Sequence, residues 1–405
     1  MAAMPQRARV LVLTSTYPRH HGDGLVPPFV HELSRRLTPW FEMHVLAPHA
    51  AGIADVEEMD GVQVHRFRYL PEPLETLAYG GGILAGLRHR PWRLAALPPF
   101  LVAEYVAARR LLKRLDFALL HAHWLVPHGV IGSGLHRTKQ ALLITSHGSD
   151  LFAVEQSWLR PFKRHALRKA DAVTVVSAAL RDRAVRLMED PGKLQVSPMG
   201  VDTIRFQPPA AGRSRQDLLF VGRLVKDKGV EVLLQALQTL RASGLKPGLI
   251  LVGSGPEEQK LRSKVMRAGL SEQVRFLGAL PNAELPAHYQ DAAALVFPSL
   301  LGKQGQQEGM GLVPLEALAC GCPVIASALP AVTEVIRHEE TGLLYPPGDA
   351  TALAECISAV LSAPEKAQAW AATGRGRVLS SHSWEDAAAR YRDLYTHLIE
   401  SMRRN

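Results

Sequence analysis

The chain has 405 residues, 47% hydrophobic and 21% charged, which is more than one ordinary domain holds, so two domains of roughly 200 residues are expected. Three cysteines, Cys320, Cys322 and Cys356, are too few and too unevenly numbered for a disulfide scaffold, and a reducing, cytoplasmic setting is expected. The net charge of +9 is uneven: residues 1–200 carry +8 and residues 201–405 carry +1, so an anionic partner is expected for the N-terminal half.

Short apolar runs alternate with helical periods along the whole chain, the pattern of parallel sheets covered by helices. Strands are expected at 10–14, 43–47, 62–67, 117–121, 142–146 and 172–177, and again at 218–221, 249–252, 274–277, 294–297 and 323–326. Arg7 and Arg9 precede only four apolar residues, far short of a signal-peptide core. The longest stretch free of Lys, Arg, Asp and Glu, 117–136, contains four histidines, a proline and three glycines and does not read as a membrane span. Residues 207–215 combine Pro, Gly and charge without periodicity and read as an interdomain linker. In open parallel sheets ligands sit beyond the carboxyl ends of the strands, so the residues just after each strand matter most.

Four stretches hold residues suited to chemistry. After the first strand, Gly22 and Gly24 lie in a loop leading to an amphipathic helix through Val30, Leu33 and Leu37. The loop could cover a diphosphate, although it has the spacing of neither the dinucleotide fingerprint nor the P-loop. Behind the 142–146 strand, His147 stands beside Gly148 and Asp150, where a ligand is expected; His121 and His123 also follow a strand and read as packing residues. After 218–221, Arg223 offers a planar fork for phosphate oxygens and Lys228 a point charge at a helix start, where a cation is unfavourable unless an anion binds. Finally, Glu308, Gly309, Met310, Gly311 and Leu312 lead into a helix that carries Glu316. The glycines let backbone approach a ligand, the helix start aims free N–H groups at an anion, and Glu316 suits sugar hydroxyls. A capping acid on an ordinary helix would explain the two glutamates alone; the basic loop favours a phosphate site.

The sequence contains no Asp-x-Asp pair, so neither a metal nor another cofactor is expected at a diphosphate, and positive side chains with helix dipoles take that role. Serine-hydrolase, zinc-protease and Walker signatures are likewise missing from it.

Together these stretches resemble the retaining glycosyltransferases of family 4, also called glycosyltransferase group 1, which have the GT-B fold. The matching pieces are Gly200-Val201-Asp202 with Phe206, Val221-Gly222-Arg223 with Lys228-Gly229, residues 251–256, Pro298-Ser299, and 308–316 with 317–326. The resemblance implies an α/β architecture of two Rossmann-like, doubly wound parallel-sheet domains facing an interdomain cleft. Residues 1–205 would bind the acceptor and 206–383 the nucleotide sugar, with a helix at 384–405 crossing back. It further implies that Arg223 and Lys228 bind the donor diphosphate and stabilise the leaving nucleotide, and that Glu316 holds the ribose hydroxyls. Glu308 and the amides of Gly309, Met310, Gly311 and Leu312 would position the sugar, His147 would face it, and Gly253 with the 278–280 turn ending at Leu280 would hold the base. Met310 stands where an aromatic is common in the family.

Between residues 84 and 115, Arg88, Arg90, Arg93, Arg109, Arg110, Lys113 and Arg114 stand against Glu104 alone, interleaved with Trp92 and aliphatics. That is the composition of an element dipping into an anionic headgroup layer, and Arg160, Lys163, Arg164, Arg168 and Lys169 extend it; solvated arginines on a covering helix pair are the competing reading. The expected enzyme moves a hexose from a UDP- or GDP-sugar to a lipid-linked or polysaccharide intermediate of bacterial surface glycan assembly, peripheral on the inner face of the plasma membrane. A small soluble acceptor, a nucleotide-sugar epimerase, a phosphorylase and a non-catalytic sugar-nucleotide binding protein are the alternatives. No recognition helix, zinc finger or aromatic platform accompanies the charge, so nucleic acid is not expected.

Overall fold

The computed structural model describes residues 7–24, 26–79, 83, 91–152, 159–210, 217–302 and 309–404. Two units divide the chain: Met1–Pro198 with Trp384–Asn405, and Met199–Ser383.

In the first unit eight strands form one sheet: β1 Arg9–Leu13, β2 Glu42–Pro48, β3 Val56–Met59, β4 Val62–Phe67, β5 Leu119–His123, β6 Ala141–Ser146, β7 Ala172–Val175 and β8 Leu194–Val196. Their order is β3-β4-β2-β1-β5-β6-β7-β8, parallel throughout except for the β3–β4 hairpin. Strands such as β1 and β6 are apolar on both faces because helices cover both faces of a parallel sheet. The hairpin turns at Asp60 and Gly61, both with positive φ, the geometry of a two-residue turn that matches strand twist.

The second unit has six parallel strands: β9 Leu218–Val221, β10 Leu249–Val252, β11 Val274–Gly278, β12 Ala294–Phe297, β13 Val324–Ser327 and β14 Leu343–Tyr345. They are ordered β11-β10-β9-β12-β13-β14. Its core joins strand residues such as Leu218, Phe220 and Leu251 to the inner faces of the helices Val230–Ala242 and Ala350–Ser362.

The winding reverses between β1 and β5 in the first sheet and between β9 and β12 in the second. At such a switch point the adjoining loops leave in opposite directions and open a crevice at the strands' carboxyl ends. The loops after β1, β5, β9 and β12 therefore occupy the places where this architecture holds ligands.

The last helix, Trp384–Arg404, belongs to the first unit. It lies beside the helix Phe29–Leu37, where Arg36 sits over the Trp384 ring at 5.8 Å. Buried hydroxyls fasten it to the sheet: Tyr395 Oη lies 2.6 Å from His121 Nδ1, and Tyr391 Oη lies 3.2 and 3.1 Å from the Thr145 and Thr174 hydroxyls.

All eleven expected strands are present, with ends within two residues. One shift matters. Pairing of Val10 with Leu119 starts β5 two residues beyond the first apolar residue, Phe117, so His121 and His123 lie inside the strand and not after it. The additional strands β3, β8 and β14 are only three or four residues long; three of the four residues of β3 are exposed or half-exposed and two are acidic, while β14 is apolar but too short to stand out.

Candidate functional site

At the switch point of the second unit, the loop leaving β9 carries Arg223 and Lys228, and the loop leaving β12 carries Pro298 and Ser299. Backbone contacts bind the two together. Leu300 N–H donates to the Asp227 carbonyl at 2.8 Å, and a Cβ on Gly229, whose φ is +69°, would sit 1.8 Å from the Pro298 carbonyl oxygen. Only glycine fits there, and this close crossing sets where Lys228 leaves the chain.

The Lys228 ammonium lies 5.5 Å from the centre of the Phe297 ring, a cation–π distance. Burial, then the neighbouring Arg223 guanidinium, push its pKa down to about 8. On the same ring, Phe297 Cε1 lies 3.8 Å from the position of a Cβ on Gly311. Gly311, at φ +76°, begins the helix Leu312–Ala319, which has no side-chain cap among the described residues. Pro314 has no N–H, so the amides of Leu312 and Val313 are the first-turn donors open to an external anion. The Lys228 cation and a helix N-terminus thus meet at one aromatic ring, with the exposed Arg223 guanidinium close enough to Lys228 to lower its pKa.

Glu316 lies in that helix. Its Oε2 accepts from the buried Tyr289 hydroxyl at 2.8 Å. Burial pushes the carboxyl up to about 7, against hydrogen bonds from Tyr289 and Asn282 that pull it down. Asn282 in turn accepts from Arg205 Nη1 at 2.9 Å. Since Asn282 follows β11, Glu316 faces the loop that holds Leu280, which is half-buried. Gly253 N–H already donates to the Gly278 carbonyl at 2.7 Å, which spends the Gly253 donor on the fold. Met310 is buried, with its sulfur 3.2 Å from Met199 N, so its side chain packs and only its backbone is open to a ligand. Gly309 is half-buried beside it, and Glu308 lies outside the described residues.

In the first unit, the β1 loop is pinned by a bidentate Arg19–Asp23 pair at 2.7 and 2.9 Å, with Gly22 and Gly24 on either side of the buried Asp23. Arg66, buried beneath, donates to the Pro18 carbonyl at 2.6 Å. The loop ends at Phe29, whose ring lies 4.8 Å from His147; the Trp124 ring, after β5, lies 4.9 Å away on another side. His147 Nε2 is 2.9 Å from His123 Nδ1. Burial pushes His147 down to about 3, so its ring is neutral. Asp150 does not serve a ligand: its carboxylate accepts from Leu125 N, Ser146 Oγ and Gly148 N at 2.6, 2.7 and 3.2 Å.

Of the basic segment, Arg109, Arg110, Lys113 and Arg114 are exposed on the helix Leu97–Arg114, Arg93 is half-buried, and Arg88 and Arg90 lie outside the described residues. Apolar side chains share that surface: Leu94, Val102 and Tyr105 are 60%, 62% and 38% exposed. On the helix Arg160–Lys169, Arg160, Arg164, Arg168 and Lys169 are exposed with Phe162, but Lys163 is not. Its ammonium is buried and donates to the Asp150 carbonyl at 2.5 Å, which removes it from the expected face. Among the described residues no helix is long and apolar enough to cross a membrane.

Comparison with known proteins decides the family. "Glycosyltransferase Family 4" matches residues 26–205 and "Glycosyl transferases group 1" matches residues 202–377. A GDP-mannose-dependent alpha-(1-6)-phosphatidylinositol monomannoside mannosyltransferase of Mycobacterium tuberculosis is 32% identical over 62% of this chain and 69% of its own. The chain belongs to the family 4 glycosyltransferases. The Mycolicibacterium smegmatis mannosyltransferase of the same name is 28% identical to the transferase over 95% of this chain and 97% of its own. Among solved structures, sucrose-phosphate synthase from Thermosynechococcus elongatus superposes with a TM-score of 0.79 at 26% identity, covering 98% of the transferase and all of that chain. Anabaena HepE in complex with UDP and glucose, at 18% identity and a TM-score of 0.72 over 97% of this chain and 100% of its own, shares the GT-B fold.

Sequence reasoning named the residues at the ends of the transferase's strands and missed what surrounds them. Tyr289, Asn282 and Arg205 around Glu316, and Phe29, Trp124 and His123 around His147, carry no local signal of their own.

Proposed function

We propose that the transferase moves a hexose, with retention of anomeric configuration, from a nucleotide diphosphate sugar to the hydroxyl of a lipid-linked or glycan acceptor. The observation that carries this reading is the meeting of Lys228 and the N-terminus of Leu312–Ala319 at the Phe297 ring, with Arg223 beside Lys228, at a switch point. Two clustered cations beside unbonded amides suit a diphosphate, and they stabilise it most as it gathers charge on leaving.

In this mechanism the bond from the anomeric carbon to the diphosphate oxygen breaks and its electron pair stays with the leaving nucleotide. The acceptor oxygen bonds the anomeric carbon on the same face, and its proton passes to the departing phosphate. Arg223 and Lys228 hold the diphosphate, Glu316 holds the ribose hydroxyls, the 309–312 backbone with Glu308 positions the hexose, and His147 contacts it. The 278–280 turn and Gly253 shape the base pocket through backbone, and no metal is needed to neutralise the phosphates. The exposed Arg, Lys, Val, Tyr and Phe side chains of Leu97–Arg114 and Arg160–Lys169, with Leu94 just before the first helix, rest on an anionic membrane where a lipid-linked acceptor would lie.

GDP-mannose is the first donor to test, because the mycobacterial relatives are named for it; UDP-, ADP- and dTDP-sugars complete the panel. A rise in melting temperature selects the donor, and transfer assays on Arg223→Ala and Lys228→Ala then check the site. Each substitution is expected to lower turnover by about 100-fold or more with the fold intact. Full activity in both would overturn the assignment, and release of an altered free sugar without transfer would point to an epimerase.

A further inference from the structure

We propose that His123 is a positioning residue: its Nδ1–H donates to His147 Nε2, which places the His147 proton on Nδ1 and makes that ring a hydrogen-bond donor. The inference rests on the role given above to His147. It begins in the strand register. His123 closes β5 opposite Thr145 of β6, so its ring reaches the turn that bears His147. The two rings stack 5.1 Å apart at 14°, with Nδ1 and Nε2 2.9 Å from each other.

A contact of that length between two neutral imidazoles holds one proton, and its direction follows from the far side of His123. His123 is buried, and its Nε2 has no hydrogen-bond partner among the described residues. If His147 were the donor, His123 would carry its proton on Nε2, as a buried N–H with nothing to accept it. Orphaned buried N–H groups are rarer than unfilled acceptors, so the proton belongs on Nδ1 and points at His147. Burial holds both rings neutral, which removes the alternative in which every ring nitrogen is protonated. His121, behind, is satisfied at both nitrogens, by Tyr395 at 2.6 Å and Thr145 at 2.7 Å, so the chain of bonds ends at His123.

His147 then has its proton on Nδ1, which no hydrogen bond reaches among the described residues. Phe29 and Trp124 fix the ring plane. In this state His147 can donate to a hydroxyl or ring oxygen of the hexose, and its one lone pair is already occupied. It therefore does not act as the base, and the acceptor proton goes to the leaving diphosphate.

The test is ¹⁵N NMR of the full-length protein labelled in histidine, near neutral pH and without ligand, with His147 assigned by the signal lost in His147→Gln. The expected spectrum shows His147 protonated at Nδ1 and bare at Nε2. In His123→Phe, which keeps a ring but no donor, His147 should become a mixture of tautomers. In His123→Asn, whose side-chain N–H can replace Nδ1–H, the single tautomer should return. Hydrolysis of GDP-mannose or UDP-glucose should show kcat about tenfold lower in His123→Phe, KM little changed, and recovery in His123→Asn. A protonated His147 Nε2 in the parent, or an unchanged His147 spectrum in a folded His123→Phe, overturns the proposal. Should that variant not fold, the parent spectrum decides alone. Equal turnover of parent and His147→Gln would instead remove the role of His147 and leave the tautomer to the NMR result.

Discussion

Burial acts on Lys228 and Glu316 in opposite senses, lowering the lysine to about 8 and raising the glutamic acid to about 7. For Lys228 the charged form is the one a diphosphate needs. Calorimetry with GDP or UDP should find affinity falling as pH rises through about 8, and Lys228→Met should flatten that dependence. Glu316 is paid for in stability. Its folded pKa lies above the ordinary value of 4.5, so the folded state holds the proton longer, and stability is lost as pH rises from about 4.5 through 7. Glu316→Gln keeps an acceptor for the Tyr289 hydroxyl and never ionises. It should melt higher than the parent at pH 8 and equally at pH 4, while binding nucleotide more weakly; equal melting at pH 8 would remove the burial argument. The types and places of Lys228 and Glu316 were legible in the sequence. Their shifted acidities were not, because these come from burial in the folded chain, reinforced by Arg223 at Lys228 and opposed by Tyr289 and Asn282 at Glu316.

The loops after strands do their positioning through backbone crossings. Gly229 is the clearest, since its positive φ and the Pro298 carbonyl leave no room for a side chain. Gly229→Ala should destabilise the second unit by about 2 kcal/mol or more, read from denaturant unfolding, and weaken nucleotide binding with it. At this scale strand runs were readable wherever both faces are buried, as in β1, β6 and β12, because burial on both faces demands an unbroken apolar run. Short edge strands escaped: β3 because pairing and not hydrophobicity makes it a strand, and β14 because its apolar run is only three residues long. The ends of β5 were misplaced for a related reason: register with β1 decides where pairing starts. Lys163 shows the same limit on a helix, where a basic period read as extending a membrane-facing surface hides one ammonium tied to the Asp150 carbonyl.

Across the whole chain the charge stays uneven, +8 against +1, and the described part of the excess includes exposed arginines and lysines on Leu97–Arg114 and Arg160–Lys169. Both helices pack against the short helix Val130–Leu135, which places their exposed residues on one side of the first unit's sheet. Vesicles containing phosphatidylglycerol should therefore sediment the protein at low salt and release it at high salt, with binding lost when Arg109, Arg110, Lys113 and Arg114 become Gln. No sedimentation at low salt would end the membrane reading. The sequence by itself determined two doubly wound units, the loops at their strand ends and the family, because burial and close backbone approach leave their mark on neighbouring residues. Only the tertiary structure decided which side chains meet. His123 reaches His147 across 24 residues and Tyr289 reaches Glu316 across 27, distances along the chain that strand order closes and local pattern does not record.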